Sequence, residues 1–418
     1  MKFGLLSYKT TMNMGDDIWC YAASRFLPRI DYFIDRERTA EFESADGEPV
    51  AILMAGWFMW EKYSWPPARC LIPKFISFHY WIGENSLASP AKEQFITGLG
   101  ADYLNAYGPI GCRDQFTVDL MRRNGVEAYF SGCVTLTLPN MPKIEAEEEY
   151  ACLVDLDDDI ERQARKELEG TGFAVITRTH KVDYYHGNAD VSWDDRFRAV
   201  EALLMDYQNA KLVVTSRLHC ALPCLAMGVP VLLVSRKEND DRMTPYRSWL
   251  HRVSPDDFLS GNTAYDFASP PPNPTDYLEA RENLIREITA FADGMKDDTR
   301  PLEDLAKTKY TPLELYAWQS GAMRGVLHEW RAGTRERAEK TAAYKAKKAG
   351  EIEKLKEKNA ALSAKNTELR EKNAALKEKN EKLRETNTEL RKALGSINPI
   401  WIIKRFLGNL YRRLRKPT

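Results

Sequence analysis

The stretch Ala210-Lys-Leu-Val-Val-Thr-Ser-Arg-Leu-His-Cys-Ala-Leu-Pro-Cys-Leu-Ala-Met-Gly-Val-Pro-Val-Leu-Leu-Val234 decides the fold of this sequence. Its β-branched apolar run ends at Thr215, which predicts a buried strand, and a helix is expected to begin near Leu218. Gly228 is positioned to end that helix, and the apolar run after Pro230 predicts a second strand. A strand, a helix and a strand in this order are typical of a parallel sheet covered by helices.

The polar residues between this strand and helix lie where open α/β sheets bind their ligands. A helix start offers free N–H groups to an anion, and Arg217 can hold a carboxylate or phosphate with two hydrogen bonds. His219 can gain or lose a proton near neutral pH. The plainer alternative is that Arg217 makes an ordinary ion pair and His219 is a core histidine. Their shared position at this edge favours the functional interpretation.

The same alternation continues on both sides of this stretch. Between residues 148 and 260 it predicts strands at 150–154, 173–177, 211–215 and 229–234, with helices at about 159–169 and 194–208. Between residues 1 and 145 it predicts strands at 3–7, 50–56, 75–79 and 128–130, with helices at 18–26 and 113–123. We therefore expect an α/β fold with two Rossmann-like domains facing a cleft. Residues 1–147 would form the first, and residues 148–333 would form the second with a helical extension.

The composition changes completely from about residue 334. Leucine repeats at heptad position d, and asparagine occupies five consecutive a positions, namely Asn359, Asn366, Asn373, Asn380 and Asn387. This pattern predicts a coiled coil over residues 334–396. Basic residues at positions e and g predict either weak self-association or pairing with an acidic partner helix. Residues 397–418 are short, apolar on one face and basic on the other, which predicts a segment that lies on an anionic membrane surface through residues 399–418.

Composition excludes several other classes of protein. A formal net charge of -1 over 418 residues gives little support to nucleic-acid binding. Seven cysteines without a CxxC pair, and a start without a long apolar stretch, lead us to expect reduced thiols in a cytoplasmic protein. The sequence has no run of about 18 apolar residues that would span a bilayer. We therefore expect a cytoplasmic protein that is peripheral at the inner face of the membrane.

Four motifs, in this order along the chain, resemble the polysaccharide pyruvyl transferase family. They are Asn13-Met-Gly-Asp-Asp17, Gly111-Cys-Arg-Asp114, Ser131-Gly-Cys-Val-Thr-Leu-Thr-Leu138 and Ser216-Arg-Leu-His219, the last followed by Pro223, Gly228 and Pro230. The resemblance covers about Met1 to Leu250. It departs at Ala55, where a polar residue would be expected, and this affects acceptor binding more than donor chemistry. The resemblance implies two Rossmann-like domains of glycosyltransferase-B type, with the donor mainly on the second.

The resemblance also implies the reaction and the donor site. Members use phosphoenolpyruvate to build a pyruvate ketal across two hydroxyls of one sugar, here expected on a surface polysaccharide or its lipid-linked precursor. Arg217, Leu218 through its backbone, and His219 would bind and activate the donor, and Arg113 would reach it from the first domain. We expect no cofactor beyond this co-substrate and no metal.

Further candidates follow from position along the chain. His219 is the candidate acid/base, and Asp16 or Asp17 could take a hydroxyl proton, unless they only cap a helix that begins at Ile18. Candidate acceptor or phosphate contacts are Asn13, Gly15, Asp17, Arg178 and Arg242, although the two arginines could equally belong to solvated turns. Asp155-Leu-Asp-Asp-Asp159 imitates a metal-binding DxD motif, but acidic residues are also common for structural reasons just before a helix.

Two other classes of protein stay open from the sequence. A sugar-nucleotide-dependent glycosyltransferase would share the same two-domain architecture. A non-catalytic assembly protein would use the coiled coil as its function and retain the enzyme fold only as a scaffold. A pyruvyl transferase would release phosphate from phosphoenolpyruvate, whereas a glycosyltransferase would release nucleotide from an activated sugar. A protein that binds no donor would belong to the assembly class.

Overall fold

Parallel strands and helices alternate along residues 1–331, as the apolar pattern predicted. The computed structural model describes residues 1–81, 91–144, 148–182, 191–235, 241–395 and 399–413. Its contacts divide the chain into two units, Met1–Arg331 and Ala332–Thr418. The first unit is a mixed α/β structure that contains all the strands described.

The first sheet has four parallel strands in the spatial order β2-β1-β3-β4. They are β1 Lys2–Ser7, β2 Tyr32–Asp35, β3 Val50–Leu53 and β4 Leu71–Lys74. Every residue of β3 is buried because this strand has a neighbour on each side and helices over its faces. A parallel pair, β5 Ile110–Cys112 and β6 Ala128–Phe130, lies beside the segment after β4, where Phe78 bridges Cys112.

The second sheet has five parallel strands in the order β11-β10-β9-β7-β8. They are β7 Tyr150–Val154, β8 Ala174–Arg178, β9 Leu212–Thr215, β10 Val231–Val234 and β11 His251–Val253. Four of these strands match the predicted runs closely. The sequence did not predict β2, β4, β5 or β11, which are short and carry little apolar periodicity. The strand predicted at 75–79 is wrong, because that segment follows β4 and makes only an isolated bridge at Phe78.

Helices connect and cover the two sheets. Those preceding the second sheet are α1 Met14–Ser24, α2 Lys92–Ile96, α3 Leu99–Ala106 and α4 Gln115–Arg123. Those that follow are α5 Asp158–Glu167, α6 Trp193–Asn209, α7 Leu218–Ala226, α8 Pro255–Leu259, α9 Leu278–Lys296 and α10 Leu302–Leu305. The last two helices are α11 Pro312–Gly395 and α12 Pro399–Arg413. Gly228 follows the end of α7, as predicted, and has a positive φ of 68°.

Helix α1 joins the two sheets into one packed unit. It contacts α6 and α7, and its Trp19 is fully buried in a core that contains side chains from both sheets. Arg196 of α6, 3% exposed, donates to the carbonyls of Tyr8 and Lys9 at 3.0 and 2.8 Å and pairs with Asp17. Residues 1–331 therefore pack as a single unit.

Helix α1 begins at Met14, earlier than the predicted start at Ile18. Asn13 is its N-cap, with extended backbone and a side-chain oxygen that accepts from Gly15 N at 3.2 Å. Asp16 lies in the first turn, where the positive end of the helix dipole stabilises a carboxylate. The alternative that Asp16 or Asp17 caps a helix beginning at Ile18 is therefore wrong, because both lie inside α1.

Helix α11 begins at a capping box formed by Thr311 and Glu314. Glu314 accepts from Thr311 N at 2.8 Å, and Thr311 Oγ1 accepts from Glu314 N at 3.2 Å. The heptad leucines expose about half of their surface, from 49% at Leu369 to 65% at Leu355. Ion pairs form within the helix, with Glu368 bonded to Lys372 and Glu378 to Lys382. Pairing with another helix stays a prediction. Residues 396–398, where the predicted coiled coil and basic segment meet, lie outside the described residues.

None of the described helices combines the length and the apolar content needed to cross a bilayer.

Candidate active site

A cavity of about 620 Å³ opens where many of the parallel strands end. Residues that line it follow β1, β2, β3, β4, β5, β8, β9 and β10 along the chain, which is the edge where open α/β sheets bind ligands. Six residues predicted from the sequence are brought together here: Asn13, Asp16, Arg113, Arg217, Leu218 and His219.

His219 lies in the first turn of α7 and is packed on three sides. Its ring meets Trp19 edge-on at 5.0 Å, and its Nε2 lies 3.9 Å from Cys133 Sγ. Burial lowers the pKa of His219 well below its usual value, and the positive charges of Arg113 and other nearby basic groups lower it further. A hydrogen bond with the Gly15 backbone opposes that shift. The imidazole is therefore neutral at neutral pH in the free protein.

Trp19 supports two of the predicted donor-binding residues, His219 and Arg113. The guanidinium carbon of Arg113 lies 5.0 Å from the centre of the indole, as far as the imidazole of His219 does. Arg113 is 9% exposed, and its Nε has no hydrogen-bond partner within the described ranges, lying 3.6 Å from Asp114 Oδ2. A buried guanidinium with an unsatisfied donor is suited to an anionic ligand. Nothing in the sequence indicated Trp19 beyond its place on a predicted helix.

Arg217 is the N-cap residue of α7 and pairs with Asp155. Its Nε donates to Asp155 Oδ2 at 2.9 Å, while the side chain keeps 35% of its surface exposed. The plainer alternative of an ordinary ion pair is thus present in the free protein. Because Arg217 also lines the cavity, the pair leaves the guanidinium available to an incoming anion.

Asp155 is held by the loop after β8. It accepts from Thr179 Oγ1 at 2.6 Å and from His180 N at 3.0 Å, and its φ is +48°, which is uncommon for a non-glycine residue. Burial pushes its pKa upward, but these hydrogen bonds and the charge of Arg217 outweigh burial and lower the pKa. The carboxylate that imitates a metal-binding motif is therefore engaged by protein groups. The described residues contain no cluster of three potential metal ligands.

The two acidic residues of the N-terminal loop have different surroundings. Asp16 lines the cavity and accepts from Thr11 Oγ1 at 2.7 Å. Asp17 is fully buried against Arg196 and is not part of the cavity lining, so the structure does not bring it to the site. Gly15 lies against His219, where an added Cβ would be 3.1 Å from both Cβ and Nδ1 of the histidine.

The sequence analysis gave no role to His79, which also lines the cavity. It follows the segment after β4 and donates from Nδ1 to Asp114 Oδ2 at 2.7 Å, both side chains being buried. Burial pushes the pKa of Asp114 upward, but the bond and charge of His79, with Arg113 and Thr117 N, lower the pKa to about 2. Asp114 therefore stays ionised and fixes the tautomer of the imidazole. In the sequence, His79 stands at the end of the apolar run 75–79, and this position could have indicated it.

Three tryptophans also line the cavity. We call Trp57, Trp60 and Trp81 the tryptophan wall; their rings lie 5.4 to 6.0 Å apart between centres. The guanidinium of Arg36 stacks 3.5 Å from the Trp57 ring and 4.7 Å from the Tyr8 ring. The sequence analysis did not assign any of these residues.

Two predicted contacts do not join the site in this structure. Arg178 Nε donates to Asp206 Oδ2 at 2.6 Å on an exposed surface, away from the cavity lining. Arg242 lies in a short 3₁₀ segment, Asp241–Tyr246, and its side chain is outside the described residues.

The sequence of this chain matches one family of known proteins. A family model described as polysaccharide pyruvyl transferase matches residues 13–238, which is more than half of the 418 residues. No curated protein matches the sequence.

Two solved structures are similar in part. A functionally uncharacterized protein from Klebsiella pneumoniae subsp. pneumoniae has 13% identity and a TM-score of 0.34, covering 59% of this chain and 92% of its own. The wall teichoic acid polymerase TagF has 8% identity and a TM-score of 0.32, with 78% and 89% covered. Both TM-scores are below 0.5, so neither likeness supports a conclusion about this chain.

Proposed function

Because this chain belongs to the polysaccharide pyruvyl transferase family, we propose that it moves the enolpyruvyl unit of phosphoenolpyruvate onto a sugar and forms a pyruvate ketal. The acceptor in this proposal is a surface polysaccharide or its lipid-linked precursor. The observation that carries the proposal is the meeting of Arg113, Arg217 and His219 in one cavity at the start of α7.

Donor binding would use positive groups of this cavity. Phosphoenolpyruvate carries a carboxylate and a phosphate, and the lining includes the guanidinium groups of Arg113 and Arg217 and the first N–H groups of α7. We propose that Arg113 and Arg217 hold the two anionic groups and that the backbone at Leu218 donates to one of them. Asp155 would keep Arg217 in place before the donor arrives.

The chemistry needs one acid and one base. A proton delivered to the methylene carbon of the donor gives an oxocarbenium-like centre at C2. One sugar hydroxyl adds to C2 and loses its proton, phosphate leaves with the electrons of the C2–O bond, and a second hydroxyl closes the ring and loses its proton. The products are the ketal and inorganic phosphate. His219 is our proposed acid.

The lowered pKa of His219 fits a donor-triggered acid. In the free protein the imidazole is neutral, because burial and nearby positive charge disfavour the imidazolium. The negative charges of phosphoenolpyruvate beside the ring would favour the imidazolium again. We propose that donor binding and protonation of His219 are therefore coupled, so that the acid is present only when its substrate is.

Two groups are placed to take the hydroxyl protons. Asp16 lines the cavity with one oxygen bonded to Thr11. His79, oriented by Asp114, lines the same cavity and matches the common pattern of a base held by a carboxylate. We propose that these groups deprotonate the acceptor.

The C-terminal segments would place the enzyme near its acceptor. We propose that the coiled coil self-associates or pairs with an acidic helix, and that α12 lies on an anionic membrane surface. Such placement suits a lipid-linked acceptor, because enzyme and substrate then share one surface.

The proposal is tested by following phosphate release from phosphoenolpyruvate with lipid-linked or nucleotide-linked glycans as acceptors. His219→Ala should lower the rate by about 10²–10⁴-fold, because a positioned acid is lost. Arg217→Ala should weaken donor binding, and Arg217→Lys should not restore it, because lysine cannot make the bidentate contact.

His251→Ala serves as a matched control. His251 lies in β11, where its ring hydrogen-bonds to the carbonyl of Pro272, and it should keep the wild-type rate. Near-normal phosphate release by His219→Ala with acceptor present would contradict the assignment. Nucleotide release from an activated sugar would identify a glycosyltransferase instead, and a wild-type protein that binds no donor would indicate an assembly protein.

A further inference from the structure

The tryptophan wall is a rigid part of the cavity. Glu37, 3% exposed, accepts from the backbone N–H groups of Trp60 at 3.1 Å and Glu61 at 2.8 Å, and so fixes the turn that carries both residues. Within that turn Met59 is fully buried with a φ of +60°. These bonds hold the backbone of the turn, and the Trp60 ring packs 5.6 Å from that of Trp57 and 6.0 Å from that of Trp81.

The polar groups beside the wall suit hydroxyl groups. Arg36 is 5% exposed, and its Nη1 has no hydrogen-bond partner within the part of the chain that the structure describes. Glu61 lines the cavity and accepts from Thr10 Oγ1 at 2.8 Å. One buried donor and one exposed carboxylate beside aromatic faces would suit a ligand with hydroxyls on its edge and C–H groups on its face.

The charge at this end of the cavity selects between classes of sugar. Arg36 is already paired with Glu37 at 2.9 Å, and the carboxylates of Glu61 and Asp16 add negative charge to the lining. An acidic sugar would meet net repulsion here, whereas a neutral sugar would not. The donor end, by contrast, offers Arg113 and Arg217 to an anion.

We propose that the tryptophan wall binds the acceptor through the C–H face of one uncharged hexopyranose ring, with Arg36 donating to a ring hydroxyl and Glu61 accepting from another. The wall and the donor residues line one cavity, so a ring on the wall would present its free hydroxyls toward the donor. The inference rests on the proposed function for the fate of the sugar. Binding of the sugar itself can be measured without any donor.

The test uses saturation-transfer difference NMR on the full chain without phosphoenolpyruvate. The probes are the methyl glycosides of glucose, galactose and mannose, with methyl glucuronide as the acidic probe. At least one neutral glycoside should show transfer to ring C–H protons, and the glucuronide should show much less. Trp60→Ala should weaken binding of that neutral glycoside about tenfold, and Glu61→Gln should weaken it severalfold.

Trp193→Ala is the matched control, because Trp193 is a half-buried tryptophan that stacks on Phe33 outside this cavity. Circular dichroism checks that each variant is folded. Arg217→Ala should lose phosphoenolpyruvate binding, followed by ³¹P NMR, and keep the glycoside signal. No signal from any neutral glycoside, preferred binding of the glucuronide, or equal losses in Trp193→Ala and Trp60→Ala would overturn the inference. A wild-type protein that binds the glycoside but not phosphoenolpyruvate would overturn the proposed donor and leave the sugar site standing.

Discussion

Gly15 is the residue whose missing side chain lets α1 approach the imidazole of His219. An added Cβ would lie 3.1 Å from two atoms of His219 and 3.2 Å from Asn13 Oδ1, closer than ordinary van der Waals contact. The backbone at Gly15 is helical, so glycine is kept here for space and not for its conformational freedom. The space left at Gly15 therefore helps to set the position of the proposed acid.

Gly15→Ala should separate activity from stability. Alanine is preferred over glycine inside a helix by up to about 1 kcal/mol, so the thermal unfolding midpoint should stay close to that of the wild type. The new methyl group displaces the imidazole by a few tenths of an ångström, and we expect phosphate release to fall about tenfold or more. Thermal unfolding and steady-state phosphate release measure the two effects.

Gly294→Ala is the control for this prediction. Gly294 lies within α9, and nothing stands within 4 Å of an added Cβ there. That variant should keep the wild-type rate with equal or greater stability. A normal rate in Gly15→Ala would show that the close approach of α1 has no bearing on His219.

At the scale of elements, α11 carries a charge pattern that opposes its own pairing. In a parallel homodimer the g and e′ positions set Lys365 against Arg370, Lys372 against Lys377, and Lys379 against Arg384. Glu368 and Glu378 lie at outer positions, where they bond within the helix to Lys372 and Lys382. The heptad leucines meanwhile stay about half exposed. Apolar burial thus favours pairing of two chains, and like charge opposes it.

Added salt should therefore strengthen self-association of the full chain. Salt screens exposed charges over about 10 Å at 0.1 M, which weakens the repulsion while leaving leucine burial in place. Sedimentation equilibrium across a salt series measures the effect. A variant with glutamate at positions 365, 372 and 379 should show the opposite trend, because its cross-chain pairs attract. Association of the wild type that weakens steadily as salt rises would refute the charge argument.

Helix α12 presents a separate surface of apolar and basic side chains. Ile403, Phe406, Leu407 and Tyr411 expose 56 to 71% of their surface and recur at helical spacing. Lys404 and Arg405 lie between them in sequence and supply positive charge. This combination favours the interface of an anionic bilayer.

Removal of residues 399–418 should abolish flotation with vesicles that contain phosphatidylserine. Each basic residue near such a surface contributes about 1 kcal/mol, so the full chain should float with these vesicles and much less with phosphatidylcholine alone. Both proteins should keep the same activity on a soluble acceptor, because the cavity lies in residues 10–243. Equal recovery of the two proteins with anionic vesicles would contradict the membrane proposal.

At the scale of the whole molecule, the sequence predicted what depends on local pattern. Strands β6 and β7 occupy the predicted residues, and α7 begins at Leu218 as expected, because apolar runs and turn residues are read within a few positions. Of the candidate site, the residues at the end of β9 could be predicted, since the carboxyl edge of a parallel sheet is a general binding position. Arg113, which follows β5, was indicated only by the family resemblance.

The rest depends on contacts between residues distant in the chain. The tryptophan wall, the support of Arg113 by Trp19, and the orientation of His79 by Asp114 each join segments that carry no shared motif. Asp17 failed as a candidate for the same reason, because its partner Arg196 is 179 residues away. No periodicity or spacing indicates such a pair.

The contacts of Arg196 with the N-terminal loop also have a consequence for synthesis on the ribosome. Its bonds to Tyr8 and Asp17 span 188 and 179 residues. The ribosome adds about 5–20 residues per second. The second residue of each contact is therefore made roughly ten to forty seconds after the first. Throughout that interval Trp19 lacks its later packing partners in α7, and the apolar side of α1 is open to chaperones. Helix α1 is made early and is among the last elements to complete its packing.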